Sequence, residues 1–223
     1  MVELSIKVPT DYNGISLKTY LELQKEMKNY EGEEEAQTAL MLYHLCGIPA
    51  EYINGISVED YNLIKNELEA FIGKTDLPLQ KIIQIDGVEY GFEPNLSQIA
   101  YGAYSDITKF QTLTIDENWA KVMSILYRPV TNKKKDMYSI QPYTGDIDDK
   151  LFLNVGMDVH LGALFFFVRL SMDLQNATLN SLKEMVKHPN IKSILEESGQ
   201  LMLQSSSLHK ETSLNMKQLL KSR

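Results

Sequence analysis

The chain has 223 residues, of which 43% are hydrophobic and 23% charged, an ordinary composition for a globular protein with a sizeable buried core. Its net charge of −8 at pH 7 argues against a general nucleic-acid binder, which needs a basic face to neutralise phosphates. Its single cysteine, Cys46, excludes an intrachain disulfide and fits a reducing compartment.

The first eight residues alternate apolar and polar side chains and predict a strand that Pro9 stops. They lack the basic segment followed by an apolar core that marks a signal peptide. The most apolar run, Leu161–Val168, is far shorter than the roughly 20 residues of a spanning helix. We therefore expect no membrane segment.

The rest of residues 1–76 predicts a mainly helical N-terminal part. Apolar side chains recur at helical spacing after Ser16 and after Ser57, two candidate N-caps. Between them, a second helix opens in the acidic run 31–35 and runs to about Leu45. Acidic side chains in a first turn complement the helix dipole, which is the interpretation we favour for this run. The alternative is that they bind a cation. Residues 74–79 are the candidate domain boundary.

Residues 82–92 predict a β-hairpin, because apolar and polar residues alternate on both sides of Asp86–Gly87. A two-residue hairpin turn requires positive φ at both positions, which Asp and Gly tolerate best.

The hairpin opens a second predicted part, residues 77–203, with long core helices near 115–127 and 157–187. Thr114 and Glu117 form a candidate capping box for the first helix, which Pro129 must stop. The second is predicted as one helix or as two helices bent near Asn176, followed by a helix over 190–203. The core should include Trp119, Leu126, Leu164, Phe165, Val168 and Leu174.

Two polar segments lie between those helices. Lys133–Lys135 is predicted as a solvated loop before a short strand at 137–141, with phosphate binding as the alternative. Asp146, Asp148 and Asp149 lack the glycine and the terminal glutamate of an EF-hand, so we place them at a helix start.

The sequence predicts a protein that is not an enzyme and needs no cofactor. Its histidines lack the metal-ligand spacing of zinc or di-iron sites, and the common nucleophile and phosphate-loop motifs are absent. His44 and His160 fall in apolar helical runs and are interpreted as core histidines. Cys46 is interpreted as a small buried hydrophobe, with a reactive thiol as the alternative. Catalytic groups from distant segments can still converge in space.

The last part, residues 204–223, is polar and basic and is interpreted as a C-terminal arm that becomes helical on a partner. Its sparse apolar side chains are the candidate partner-binding residues: Leu208, Leu214, Met216, Leu219 and Leu220. The whole chain is thus predicted to be an α+β protein that is mostly helical.

Four blocks of sequence carry a resemblance to a known family. They are Ile85–Leu96 (IDGVEYGFEPNL), Ala100–Asp106 (AYGAYSD), Leu126–Thr131 (LYRPVT) and Met157–Phe166 (MDVHLGALFF). In their order and spacing, over roughly residues 80 to 180, they resemble a family of tailed-phage proteins from morphogenesis gene clusters, including those of crAss-like phages. Some members of that family carry a tail assembly chaperone label.

The resemblance implies a phage protein made in the host cytoplasm that binds other phage structural proteins or itself. Within that reading we expect a virion-associated structural component of the tail or neck region, or a packaged protein. A tail assembly chaperone absent from the mature particle is the first alternative. A host-directed regulator with an acidic surface is the second. No catalytic residue comes with the resemblance.

Overall fold

The computed structural model describes residues 6–74, 77–110, 114–135 and 137–186, with side chains as far as residue 183. The chain divides into two units, one ending at Val168 and one beginning at Arg169. The predicted arm with its candidate residues Leu208, Leu214, Met216, Leu219 and Leu220 lies outside the described residues, as does the predicted helix at 190–203.

Four α-helices lie in the described residues 6–74 of the N-terminal part. They are α1 (Leu17–Met27), α2 (Glu34–Cys46), the short α3 (Ala50–Ile53) and α4 (Val58–Ile72). The predicted strand is absent from the described residues 6–9, which have no regular secondary structure. The sequence prediction missed α3, a single turn that begins directly after Pro49.

Local capping signals explain where these helices begin and end. The Ser16 hydroxyl accepts a hydrogen bond from the Thr19 N–H at 3.1 Å. The Ser57 hydroxyl accepts one from the Asp60 N–H at 3.1 Å. Each bond satisfies one of the N–H groups that lack a partner in the first turn. Gly47 ends α2 with φ 68°, the left-handed conformation that glycine adopts at little cost. Both predicted N-caps are confirmed.

Four antiparallel strands form one sheet in the order β1 (Ile82–Ile85), β2 (Val88–Phe92), β3 (Tyr127–Lys134) and β4 (Met137–Ile140). The predicted hairpin is β1–β2. Its turn has φ 50° at Asp86 and 79° at Gly87, as a two-residue turn between Ile85 and Val88 requires.

The strand β3 corrects the predicted loop at Lys133–Lys135. Lys133 pairs with Tyr138 and Lys134 with Met137, so both lysines extend the β3–β4 hairpin. Pro129, which is predicted to end the preceding helix, lies within β3 opposite Tyr90. Proline cannot donate to a sheet, and here only its carbonyl is used, accepting from the Gln141 N–H at 2.9 Å.

The remaining helices are α5 (Tyr101–Phe110), α6 (Trp119–Leu126), α7 (Asp149–Leu153) and α8 (Met157–Val186). Asp148 and Asp149 lie at the start of α7, as predicted. The capping box at Thr114 is wrong, because α6 begins only at Trp119. The Asp116 carboxylate accepts from the Asn118 N–H at 2.8 Å and stabilises a turn in front of the helix instead. Of the two alternatives for 157–187, α8 is one continuous helix.

The starts of α1 and α8 are joined by backbone pairing. Leu17 N–H donates to the Val155 carbonyl at 3.1 Å, and Met157 N–H donates to the Ile15 carbonyl at 2.8 Å. Gly156 makes this approach possible, since a Cβ there would lie 2.7 Å from the Asn13 carbonyl oxygen.

One face of the sheet packs against the helices to form the main core. Its central ring is Phe92, whose centroid lies 5.2 Å from Tyr127, 5.6 Å from Phe166 and 6.0 Å from Phe167. The cluster also contains buried residues on both sides of the predicted domain boundary: Ile15, Leu17, Phe71, Ile83, Trp119, Met123, Phe152, Met157 and Ala163. A smaller cluster, called here the helical cluster, buries Leu42, Ile48, Ile64 and Leu68.

The predicted core list is correct at Trp119 and Leu126, both 1% exposed. It is wrong at Leu174, which is 60% exposed. Phe165 is only half-buried, while the next residues, Phe166 and Phe167, pack against the main core. The reason is helical geometry: a run of consecutive aromatic residues cannot place every ring on one side of a helix.

A candidate protein-binding surface

The helix α5 turns two tyrosines outward. Tyr101 is 84% exposed and Tyr104 is 57% exposed, whereas Ala103 between them is fully buried. With Ser105 and Thr108, the two tyrosines recur at the spacing of one helix face. We call this set, completed by Lys109, the α5 surface. A helix normally presents polar residues to solvent, so two exposed aromatic rings here are a departure from the usual pattern.

The α5 surface lines a depression of about 300 Å³. The five lining residues that the structure describes all belong to the same helix, and no second element among the described residues closes the depression from the opposite side. A small-molecule site encloses most of its ligand in a concave cavity. The geometry therefore favours contact with a macromolecular surface over capture of a small molecule.

A hydrogen-bonded clamp holds α5 in place beneath this surface. The Tyr143 hydroxyl donates to Asp106 at 2.6 Å, and Lys109 Nζ contacts the other carboxylate oxygen at 2.6 Å. The Tyr143 ring lies over Gly102, where a Cβ would meet it at 3.5 Å.

The protonation states of the clamp favour its hydrogen bonds. Hydrogen bonds from Lys109 and then from Tyr143 lower the pKa of Asp106, which keeps the carboxylate ionised as an acceptor. Burial, and after it the hydrogen bond to Asp106, raises the pKa of Tyr143 to about 12, which keeps its hydroxyl protonated as a donor. The clamp is therefore insensitive to pH near neutrality.

An ion pair stabilises the sheet on the face away from the main core. Arg128 Nη2 donates to Glu93, and both side chains are largely buried. Arg128 Nε and Nη1 are enclosed and have no partner among the described residues. Beside them, the Tyr138 hydroxyl donates to the Phe92 carbonyl at 2.6 Å. Gly91 makes room for the Tyr138 ring, which would lie 2.6 Å from a Cβ at that position.

Three side chains of types often used in catalysis, those of Cys46, His160 and His44, are partly or fully buried. Burial raises the pKa of the Cys46 thiol to about 11, so the nucleophilic thiolate is scarce at neutral pH. His160 is fully buried and its Nε2 donates to the Phe152 carbonyl at 3.1 Å, as predicted for a core histidine. His44 Nε2 lies 3.2 Å from a Glu26 carboxylate oxygen, without the alignment of a hydrogen bond.

Within the part of the chain that the structure describes, no group of three or more His, Cys, Asp or Glu side chains could hold a metal ion. The same residues contain no helix that is both long enough and apolar enough to cross a membrane.

Sequence reasoning missed the α5 surface. Three of its five residues, Tyr101, Tyr104 and Ser105, belong to the block Ala100–Asp106, yet their exposure was not predicted. A signal was present: tyrosines 101 and 104 share a helix face with Ser105 and Thr108, whereas Ala103, Ile107 and Phe110 fall on the opposite side. The predicted partner-binding residues of the arm, which lie outside the described residues, remain a prediction.

Comparison of the chain with known protein families, with curated proteins and with solved structures found no match.

Proposed function

We propose that the chain is a non-enzymatic bacteriophage morphogenesis protein that acts through contacts with other phage proteins, as a virion-associated structural component. The observation that carries the binding role is the pair of exposed tyrosines, Tyr101 and Tyr104, on the α5 surface. The phage context is supported by the four sequence blocks that resemble tailed-phage morphogenesis proteins.

Tyrosine is well suited to such a contact. It buries a large apolar ring while its hydroxyl still forms hydrogen bonds, and it has few rotatable bonds to order on binding. Tyrosines are correspondingly enriched among the residues that dominate binding energy at protein interfaces.

The support beneath the tyrosines strengthens the inference. The hydrogen bond from Tyr143 to Asp106 joins α5 to the loop after β4, and the Lys109–Asp106 contact lies within the helix, so both support the element that carries the exposed rings. A surface that is ordered before binding loses less conformational entropy when its partner arrives. This favours a stable contact in an assembly.

The test is incorporation of the chain into particles of the phage that encodes it. We expect stoichiometric retention of the wild-type chain in purified particles, and at least a tenfold loss for Tyr101→Ala/Tyr104→Ala, because each truncation at a dominant contact costs about 2 kcal/mol or more. The matched control is Tyr43→Ala/Tyr52→Ala, which removes two exposed tyrosines from α2 and α3.

The thermal midpoint separates loss of binding from loss of folding. Both double variants should unfold within a few degrees of wild type, since exposed side chains contribute little to stability. A wild-type chain abundant in lysate and absent from particles would contradict the virion role in favour of the chaperone. Equal incorporation of both double variants would contradict the role of α5.

A further inference from the structure

The helix α8 carries a row of apolar side chains in the unit that begins at Arg169. Met172 is 51% exposed, Leu179 is 52% exposed and Leu182 is half-buried. Together with Gln175 they follow one another at intervals of three, four and three residues, which places them on one face of the helix. We call these four residues the α8 stripe: Met172, Gln175, Leu179 and Leu182.

A row of this kind is typical of a helix that packs against a second helix. Single exposed apolar side chains are common on proteins and need no explanation. Repetition every three and four residues is instead the pattern of a helix–helix contact, in which each side chain inserts between residues of the partner. Leu174, which is 60% exposed, does not belong to the row, because it lies about 140° around the helix axis from Leu179. The α8 stripe thus has the form of a docking surface for another helix.

The chain that follows α8 contains a segment with a matching apolar face. Residues 187–223 lie outside the described residues, and the sequence predicts a helix at 190–203. In a helical projection of that segment, five apolar side chains share one face: Ile191, Ile194, Leu195, Leu201 and Met202. Charged and amide side chains share the other face, with Leu203 as the apolar exception: Lys192, Glu196, Glu197 and Gln200. A helix of 14 residues that contains Gly199 is marginal in water by itself, so it needs a surface to pack against.

We propose that residues 190–203 fold back onto the α8 stripe and pack against it as an antiparallel helix. The length of the connection selects this occupant. Pro189, three residues after α8 ends at Val186, cannot continue a helix, and Asn190 is a favoured N-cap for the next one. The connection is of the length that joins neighbouring antiparallel helices. A covalently joined segment also has a higher effective concentration at the stripe than a separate copy of the chain has.

The connection of residues 187–190 sets the register of the two helices. Counting outward from its two ends places Leu195 opposite Leu182, so two apolar side chains meet. It places Ser198 opposite Leu179, where the small serine leaves room for the leucine side chain to insert between neighbouring turns. The apolar face of the segment therefore faces the α8 stripe along its length.

Docking gives the predicted arm, residues 204–223, a fixed origin. In the same register residue 204 is level with Asp173, near the start of the second unit. A segment that continued away from α8 would instead carry the arm beyond the end of the helix. The proposal assigns α8 a role in positioning the arm, and it depends neither on the α5 surface nor on the phage role.

Hydrogen exchange of the full chain, measured by mass spectrometry on peptides that cover 190–203, tests the docking. We expect these amides to exchange at least about tenfold more slowly than in an unstructured peptide of the same sequence, because a packed helix protects its hydrogen bonds. Leu179→Glu places a charge in the contact and should return exchange to the unstructured rate. The matched control Leu174→Glu makes the same change on another side of α8 and should keep the protection.

The thermal midpoints of both glutamate variants should stay within a few degrees of wild type, since each substitution replaces an exposed side chain. Unprotected amides over 190–203 in the wild type would overturn the proposal. Protection that Leu179→Glu leaves unchanged, or that both variants lose equally, would overturn the α8 stripe as the docking surface.

A disulfide tests the register and the source of the segment. Leu182→Cys/Leu195→Cys, in a chain whose Cys46 is replaced by alanine, should form an intramolecular disulfide on mild oxidation, because residues opposed across a helix contact come close enough to be bridged. Leu174→Cys/Leu195→Cys is the control and should stay reduced. Equal oxidation of the two pairs would contradict the register. A disulfide-linked dimer in place of the intramolecular bond would overturn the proposal in favour of a segment supplied by a second copy.

Discussion

The main core and the helical cluster both lie in the unit that ends at Val168, and they are assembled differently. The main core collects buried side chains from Ile15 to Ala163, contributed by α1, α4, the sheet, α6, α7 and α8. The helical cluster takes its buried residues from Leu42 to Leu68 only, within consecutive helices and their connections. The main core therefore depends on contacts between residues distant in sequence, and the helical cluster on contacts between residues close in sequence.

The two clusters also differ in chemistry. The main core is rich in aromatic rings in edge-to-face contact and encloses an ionisable side chain, His160. The helical cluster is aliphatic, and the buried polar residue of α2, Thr38, donates to the Glu34 carbonyl at 2.9 Å. The comparison indicates that the main core determines the stability of the unit and its response to pH, while the helical cluster makes a smaller, pH-independent contribution.

Truncation of one large side chain in each cluster should give the largest effect. Phe92→Ala removes the central ring of the main core and should lower the free energy of unfolding by about 3–5 kcal/mol. Leu68→Ala in the helical cluster should cost about 2–3 kcal/mol, because fewer buried neighbours surround it. Urea unfolding of both variants measures the difference. A greater loss for Leu68→Ala would reverse the ranking of the two clusters.

The pH dependence of the unfolding free energy should be the next largest difference between the main core and the helical cluster. Burial lowers the pKa of His160 from 6.5 to about 4, against the smaller opposite effect of backbone hydrogen bonds at Phe152 and Val155. Between these values the unfolded chain binds a proton that the folded chain does not. Stability is therefore complete above about pH 6.5 and decreases as the pH falls to 4, by about 3 kcal/mol in total.

His160→Gln removes this titration, so its unfolding free energy should vary less between pH 6.5 and 4 than that of wild type, at a lower absolute stability. The control is Thr38→Val in α2, which removes a buried hydroxyl that does not titrate and should keep the wild-type pH profile. Urea unfolding at several pH values provides the measurement. An unchanged slope in His160→Gln would show that other groups control the acid response.

A substitution in the first hairpin turn should have an intermediate effect on the main core. Gly87 has φ 79°, which a β-branched residue resists, so Gly87→Val should cost about 1–3 kcal/mol through strain beside β1 and β2. Gly14→Val is the control, since a Cβ at Gly14 meets open space and its φ lies outside the positive region. Thermal unfolding midpoints of the two variants should differ by several degrees, and equal midpoints would contradict a strained turn.

Substitution of a helix cap should have the smallest effect on the unfolding free energy, and the effect should be similar for the main core and for the helical cluster. Ser16 caps α1 beside the buried Leu17 of the main core, and Ser57 caps α4 of the helical cluster at an exposed position. Each change to alanine should cost about 1 kcal/mol, and each change to glycine only a few tenths. Urea midpoints resolve these differences. A loss above 2 kcal/mol at Ser57 would mean that the helical cluster depends on α4 more strongly than its size indicates.

The accuracy of sequence reasoning depends on how local each feature is. Ser16 and Ser57 identified helix starts, because a cap is a bond between a side chain and its own neighbouring backbone. In the region of the main core, the helix start at Thr114 was placed too early and β3 was missed. Pro129 correctly predicted the end of a helix, but only pairing with β2 and β4 made the next residues a strand.

The sequence by itself determined the mostly helical α+β class, the hairpin turn at Asp86–Gly87 and the caps, because each depends on backbone sterics and periodicity within a few residues. The tertiary structure alone decided the rest. It placed Tyr127 in the core, left Leu174 in solvent and joined Asp106 of α5 to Tyr143. These outcomes depend on which distant segments pack together. The packing is determined by the total burial of side chains over the whole unit, and a local sequence pattern does not contain that information.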